Sequence, residues 1–445
     1  MRRTHSTYIS SRFAMFLLLG LLFAPAAPAQ EIADTIKIRT RVVFMDALVK
    51  DKRNGTPITD LKPENFELFD DGKPRTISYF TREGEARKPL GLILILDLRD
   101  DGAGKYLKRD EVRAAMIEEL MKMAPGDEVA ILVTNANSID DKAAVIRNGH
   151  ALWLTEFTRD RAQLERAFAR IPALIAPAEN PKTEEPKEGP DNKSSMTISA
   201  STDKPVDAKD ETPKPAASKD NPVVETETIH GKNGAVITRT TMKDGTVNVK
   251  RVSSSGKVSI DLNNFYDISG ATRDAVRLVE SSRPNSQAAI VWLSDGISPV
   301  FKEDINATEQ ILVRQNAIFN TMNVDMRALY KFLLPVGQPL IGWTGISIAG
   351  SAKRLAQLSG GETVHVSRVK DYGAGLARVI GNLNARYSLG FKLEEDEKDD
   401  GRLHELVLRV KATDAKGKQR RLEVSSRRGY YIPKSGSEQT AASRN

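Results

Sequence analysis

The sequence predicts an α/β protein with a doubly wound, mainly parallel, Rossmann-like sheet and two smaller β-regions beside it. Continuous apolar runs of strand length alternate with helical segments over 89–172 and again over 263–385. This alternation is typical of a parallel sheet covered by helices on both faces. Over 31–86 and 386–433 the chain instead shows short strand patterns separated by turn residues.

The first 29 residues have the features of a secretory signal peptide. Three arginines lie near the start, an apolar run covers 13–23, and Ala27-Pro28-Ala29 follows. A membrane anchor is the alternative, but this run is shorter than the roughly 20 residues that span a bilayer. We therefore expect cleavage after Ala29 and a secreted or periplasmic protein, without a lipid anchor because the chain has no cysteine.

The composition excludes several classes of protein. The 445 residues include no cysteine, so disulfides, thiol nucleophiles and cysteine-based metal sites are ruled out. The net charge of +7 becomes +4 once the three arginines of the signal peptide are removed, and both signs are mixed along the chain. Nucleic-acid binders show a strongly basic stripe, so we expect no nucleic-acid partner. No later segment is apolar over enough residues to span a membrane.

The N-terminal β-domain is expected over 31–86. Residues 36–49 alternate or run apolar as a strand does, and a turn cluster follows at 54–57. Asp71-Gly72 lies between short apolar runs at 66–69 and 76–80. An Asp-Gly pair in this position is a strong signal for a β-hairpin.

The first part of the α/β domain is expected over 89–172. A continuous apolar run at 89–96 predicts a strand buried on both faces, and it ends at Asp97. A helix is expected over 106–123, further strands over 129–133 and 152–157, and a short helix over 161–170.

An insert then interrupts the domain. Nine of the 21 prolines lie between Pro172 and Pro222, and no aromatic residue occurs from 169 to 264. Such a composition cannot bury enough apolar surface to offset chain entropy, so we expect 173–260 to be disordered. One hairpin is possible over 235–251, because both arms alternate around Asp244-Gly245.

The α/β pattern resumes over 263–385. We expect helices over 273–280, 309–322, 352–358 and 372–385, with strands over 288–293, within 324–334 and over 363–366. The following segment, 386–433, reads as a C-terminal β-extension that packs with the N-terminal β-domain, and 434–445 as a disordered tail.

Acidic residues follow two of the predicted strands. Asp97 ends the first strand and has Asp101 close behind, and Asp295 follows the strand at 288–293. Ligands of open α/β sheets bind outside the carboxyl ends of the strands. Carboxylates gathered there need a cation or a basic side chain to neutralise them. Oxygen ligands without His or Cys suit Mg²⁺, Mn²⁺ or Ca²⁺.

These motifs resemble the von Willebrand factor type A (VWA) family, in particular secreted members typical of acidobacteria. The family places Asp-x-Ser-x-Ser after its first strand, a Thr on a later loop and Asp-Gly after its fourth strand, which together form a metal-ion-dependent adhesion site. Here Asp97-x-Arg99-x-Asp101 and Asp295-Gly296 occupy the first and last positions. The segments 61–72, 386–391 and 427–431 resemble the family's flanking β-regions, so the resemblance covers 31–172 and 263–433.

The resemblance implies a Mg²⁺ or Mn²⁺ site formed by Asp97, Asp101, Asp295 and a threonine. Two alignments of the threonine motif are possible, and they place either Asn263 or Thr272 at that position. Arg99 and Asp101 replace the two serines of the first motif. Three outcomes stay open: a retained cation, a site in which the Arg99 guanidinium replaces the cation, or no organised site.

The function implied by the resemblance is non-catalytic protein binding. A carboxylate of an extracellular or periplasmic protein partner would complete the coordination of the cation. One alternative is a structural component of the envelope or of an exported assembly, without a metal. A hydrolase that uses the cation to activate water is less favoured, because the sequence offers no His and no clear general base nearby.

Overall fold

The computed structural model describes residues 41–82, 87–99, 102–136, 145–147, 151–175, 195–200, 222–243, 247–263, 267–324 and 346–432. All of them belong to one compact unit, which begins at Arg41. The signal peptide predicted at 1–29, the tail predicted at 434–445 and the candidate ligand Asp101 lie outside the described residues.

Residues 41–82 form four strands with a 3-10 turn at Pro63–Asn65. The strands are β1 Val42–Asp51, β2 Phe66–Asp70, β3 Lys73–Arg75 and β4 Tyr79–Thr81. β2 and β3 pair antiparallel across Asp71 and Gly72, whose φ angles are +47° and +79°. The hairpin predicted at Asp71-Gly72 is confirmed, although its second arm begins at Lys73 and not at 76.

Residues 87–175 form the first half of an α/β layer. Its elements are β5 Leu90–Asp97, α1 Gly104–Leu107, α2 Asp110–Met121, β6 Glu128–Thr134, β7 Val145–Arg147, β8 Ala151–Thr158 and α3 Arg161–Leu174. Every residue of β5 is buried, as predicted for a strand covered on both faces. The Asp160 carboxylate caps α3 by accepting a 2.8 Å hydrogen bond from the Ala162 N–H.

The insert contains a folded sheet, so the prediction of disorder is wrong for its described parts, whereas the hairpin suggested over 235–251 is confirmed by the pairing of two strands. Five antiparallel strands are present in the order β10-β11-β12-β13-β9. Their bounds are β9 Ser195–Ala200, β10 Val223–His230, β11 Val236–Met242, β12 Val247–Val252 and β13 Val258–Asn263. The apolar side chains Ile237, Val249 and Ile260 of this sheet cluster with Phe301 and form a small core. The sequence did not reveal this core, because most residues of the insert are polar.

Residues 267–384 complete the α/β layer. The elements are α4 Ile268–Ser282, β14 Gln287–Ser294, β15 Ile297–Phe301, α5 Lys302–Arg314, β16 Ile318–Val324, β17 Ile346–Ala349, α6 Ser351–Ser359, β18 Thr363–Val366 and α7 Asp371–Asn384. The helix expected over 309–322 ends at Arg314, and 318–324 is a strand. Apolar residues lie on both sides of the polar segment 314–316, and their spacing did not separate the helix from the strand.

The C-terminal strands pair with the N-terminal ones. They are β19 Tyr387–Lys392, β20 His404–Val410, β21 Leu422–Ser426 and β22 Gly429–Tyr430. Two four-stranded sheets result, in the orders β21-β1-β19-β4 and β22-β20-β2-β3. Both sheets contribute to one apolar core. The two β-regions that the sequence predicted at opposite ends of the chain therefore form a single β-sandwich.

The central sheet has seven strands in the order β18-β16-β14-β5-β6-β8-β7. The five strands from β18 to β6 run parallel to one another. At the β7 edge of the sheet, β8 pairs antiparallel with β6, and β7 pairs antiparallel with β8. Helices α1, α2, α3 and α7 pack on one face, and α4, α5 and α6 on the other. The predicted α/β fold with a mainly parallel central sheet is confirmed. Among the described residues, no helix is long and apolar enough to cross a membrane.

Candidate functional site

The carboxyl ends of three neighbouring strands bring polar residues together. Asp97 ends β5 and lies opposite Thr134 at the end of β6. On the other side, β14 ends at Ser294, and Asp295 follows it directly. Because the three strands are parallel, their ends share one edge of the sheet. Asp97 and Asp295 are only 1% and 3% exposed, so both carboxylates need partners inside the protein.

The Arg99 side chain joins these two carboxylates. Its Nη2 donates a 2.8 Å hydrogen bond to Asp97 Oδ2 and a second hydrogen bond to Asp295 Oδ1. The Nε of Arg99 lies 3.3 Å from both oxygens of Asp97. Charge-assisted hydrogen bonds of this kind are strong and directional. The arrangement corresponds to the predicted alternative in which the guanidinium neutralises the acids.

Two residues that the sequence analysis missed also donate hydrogen bonds to Asp97. Asn135 Nδ2 donates to Asp97 Oδ1 at 2.8 Å, and Ser294 Oγ donates to Asp97 Oδ2 at 2.7 Å. Asn135 has a φ of +55°, a conformation that Asn tolerates better than most residues. Asn135 follows β6 directly, and Ser294 is the last residue of β14. The search for polar residues at the carboxyl ends of buried strands, which identified the aspartates, could therefore also have identified these two.

In the loop after β5, Gly102 and Gly104 lie too close to neighbouring atoms to carry a side chain. The backbone N–H groups of Gly102 and Gly104 donate to the Arg99 carbonyl at 3.1 and 2.9 Å. A Cβ on Gly102 would lie 2.8 Å from Asp295 Oδ2, and a Cβ on Gly104 would lie 2.4 Å from the Leu98 carbonyl oxygen. These contacts leave no room for a side chain at either glycine.

No contact among the described residues joins the remaining candidate ligands to this pair. Thr272 lies on α4 and is completely buried, and no described residue forms a hydrogen bond with its Oγ1. Asn263 ends β13, and its side chain lies outside the described part of the chain, as Asp101 does. Of the five predicted metal ligands, Asp97 and Asp295 are therefore the two that described contacts bring together.

The donor set around Asp97 and Asp295 suits a guanidinium and does not fit a cation as it stands. Asp97 Oδ2 and Asp295 Oδ1 already accept hydrogen bonds from Arg99 Nη2. A cation shared by these two oxygens would require Arg99 to leave first. The Arg99 side chain is 27% exposed, so one side of this group reaches solvent at the edge of the sheet.

No family model and no curated protein matches the chain. Among solved structures it is similar to an aerotolerance-related membrane protein from Bacteroides fragilis, with 11% identity and a TM-score of 0.30, covering 66% of this chain and 98% of the other. The ArnB paralog VWA2 from Sulfolobus acidocaldarius gives 10% identity and a TM-score of 0.29, with coverages of 89% and 76%. The pilus adhesin SpaC from Lactobacillus rhamnosus GG gives 6% identity and 0.32, with coverages of 84% and 49%.

TM-scores near 0.3 are too low for these likenesses to carry an argument about fold or function. The architecture and the contacts of the chain itself define the class: an α/β protein whose mostly parallel sheet has, at the carboxyl ends of its strands, two buried aspartates bridged by a partly exposed arginine.

Proposed function

We propose that this chain is an exported, non-catalytic protein-binding module of the von Willebrand factor type A kind. The proposal is supported by the position of its motifs, because Asp97 ends the first strand of the parallel sheet and Asp295 follows a central one. The binding face in this proposal is the carboxyl edge of the sheet around Arg99. The partner is an extracellular or periplasmic protein.

The single observation that carries the proposal is the bridge from Arg99 to Asp97 and Asp295. It supports a site in which a guanidinium replaces the cation of the family's adhesion site. The alternative keeps Mg²⁺ or Mn²⁺, held by Asp97, Asp101 and Asp295 with Thr272 or Asn263. In that case Arg99 must move away from both aspartates when the cation binds.

Catalysis is the less favoured reading. The described hydrogen-bond partners of Asp97 are Arg99, Asn135 and Ser294, and none of them is a general base at neutral pH. Asp97 itself accepts from all three, so its lone pairs are engaged. A structural component of the envelope or of an exported assembly is the second candidate, since a buried ion pair at this edge can serve to hold three strand ends together.

Site-specific photo-crosslinking tests the binding face. A photoreactive amino acid replaces Lys105, an exposed residue on α1 beside the Arg99 loop, or Lys418, an exposed residue between β20 and β21 of the β-sandwich. In cells of the organism that naturally exports the protein, we expect position 105 to give one discrete crosslinked product with a partner protein, and position 418 to give none. The product at 105 should disappear when Arg99→Ala is added. Equal products at both positions, or none at 105, would contradict the proposed face.

A further inference from the structure

A second group of polar residues lies in the β-sandwich, away from the central sheet. Asp70 and Asp71 stand where β2 turns into β3, and His404 begins β20, the strand that pairs with β2. One carboxylate oxygen of each aspartate and one ring nitrogen of His404 lie within 4.8 Å of one another. Ligand atoms in a tetrahedral Zn²⁺ site are about 3.4 Å apart, so small side-chain rotations can bring these three together.

One oxygen of the Asp70 carboxylate has no described hydrogen-bond partner. The residue is 3% exposed. Its Oδ2 accepts hydrogen bonds from Tyr430 Oη at 3.0 Å and from Arg75 Nη2 at 2.7 Å. No described residue donates to its Oδ1, which is fully buried. A buried carboxylate oxygen without a partner is costly, and a bound cation would satisfy it.

His404 is oriented by the carboxylate of Asp400. Its Nε2 lies 3.2 Å from Asp400 Oδ1. Its Nδ1 lies 3.0 Å from Asp71 Oδ2 and 3.2 Å from Arg402 Nη2. Arg402 can only donate and Asp71 can only accept, so these two contacts at Nδ1 are compatible with either tautomer. With the proton on Nε2, the Nδ1 lone pair and the Asp71 oxygen face each other as two acceptors, and a cation between them would bond to both. A carboxylate that holds one ring nitrogen while the other is left to a metal is a common arrangement in metal sites.

The charges of the group leave room for a divalent cation. Arg75 forms ion pairs with Asp70 and Glu397. Arg402 forms ion pairs with Asp71 and Asp400. Four carboxylates against two guanidiniums leave a deficit of two positive charges.

We propose that Asp70, Asp71 and His404 Nδ1 bind a divalent transition-metal ion of the Zn²⁺ or Mn²⁺ type. One imidazole with two carboxylates suits these ions. The side chain of Arg402 is 56% exposed, so it can turn to solvent when the ion takes its place beside Nδ1. The bound ion would tie the β2–β3 hairpin to the start of β20 in a chain that has no disulfide.

Isothermal titration calorimetry of the chelator-treated full chain with ZnCl₂, and separately with MnCl₂, tests this site. We expect one ion per chain for at least one of the two metals. His404→Gln should weaken that binding by about 100-fold, whereas the matched control His365→Gln, which changes an exposed histidine on β18, should leave it unchanged.

Asp71→Asn provides a second variant if His404→Gln does not fold, and it should lose affinity in the same way. Circular dichroism in the presence of chelator checks that each variant is folded. Absence of binding for both metals would overturn the proposal, and so would equal affinities in the wild type and the folded variants.

Discussion

Arg239, on β11 of the inserted sheet, donates a 2.7 Å hydrogen bond to Asp304 of helix α5, and both side chains are at most 2% exposed. Burial opposes ionisation of Asp304, but Arg273 and Arg239 outweigh it and keep the pKa of this carboxyl below its ordinary value. Arg239 also lies 3.2 Å from both oxygens of Asp267, the residue that caps α4. The insert is therefore anchored on the two helices by buried charges.

Replacing Arg239 by methionine should destabilise the protein by about 3–5 kcal/mol, because it leaves the carboxylates of Asp304 and Asp267 buried without this partner. Urea unfolding followed by circular dichroism measures the change. The matched control is Arg277→Met on α4, whose side chain is 42% exposed. It should cost no more than about 1 kcal/mol. Equal losses for the two variants would show that the buried charges do not anchor the insert.

Tyr387 links the two ends of the chain within the β-sandwich. Its hydroxyl donates to the Ile58 carbonyl at 2.8 Å and accepts from the Leu61 N–H at 3.0 Å. Tyr387→Phe should lower the free energy of unfolding by about 1–3 kcal/mol, because both backbone groups then lose a buried partner. Tyr79→Phe, at an exposed position, is the control and should be neutral. A Tyr387→Phe chain as stable as wild type in denaturant titration would refute this link.

Glu362 should make stability depend on pH in the acid range. Burial raises its pKa, but hydrogen bonding and charge from Lys50 outweigh burial and place the pKa below the ordinary value. A carboxyl with a lowered native pKa adds stability above its unfolded pKa, and this stability is lost as the pH falls through the native pKa. The contribution should thus be complete above about pH 5 and decline below about pH 4.

Free energies of unfolding measured between neutral pH and about pH 3 test this expectation. Glu362→Gln should show a flatter decline than wild type, whereas Glu165→Gln, in an exposed ion pair of α3, should follow the wild-type curve. Parallel curves for wild type and Glu362→Gln would contradict it.

Gly102 should be intolerant of substitution, since a Cβ there would lie 2.8 Å from Asp295 Oδ2 and 3.3 Å from Asp295 Cβ. Asp295 is held by Arg99, so it cannot easily yield. Gly102→Ala should cost about 1–3 kcal/mol. The control is Gly126→Ala, whose new Cβ would have ordinary 3.5 Å contacts with Pro89. Thermal unfolding with equal midpoints for both variants would mean that the loop relaxes freely around Asp295.

The central sheet could be predicted because its strands are long apolar runs, and Asp97 and Asp295 could be found because acids end two of them. Of the inserted sheet, only the hairpin of β11 and β12 could be predicted, from the alternation over 235–251. The other strands could not, since they are largely polar, and buried ion pairs such as Arg239–Asp304 leave no hydrophobic pattern. Asp70 and His404 are far apart in sequence, and only the pairing of β2 with β20 brings them together. The sequence also could not decide whether Arg99 or a cation neutralises Asp97 and Asp295, because this depends on where the Arg99 side chain lies.

The placement of Arg99 between Asp97 and Asp295 is tested most directly by thermal unfolding in chelator and in millimolar Mg²⁺. A cation that binds only the native state raises the midpoint. We predict the same wild-type midpoint in both solutions. Arg99→Ala should unfold several degrees lower in chelator, because two buried carboxylates lose their partner, and Mg²⁺ should restore part of the loss. A wild-type midpoint that rises with Mg²⁺, and still rises in a His404→Gln chain, would contradict the account.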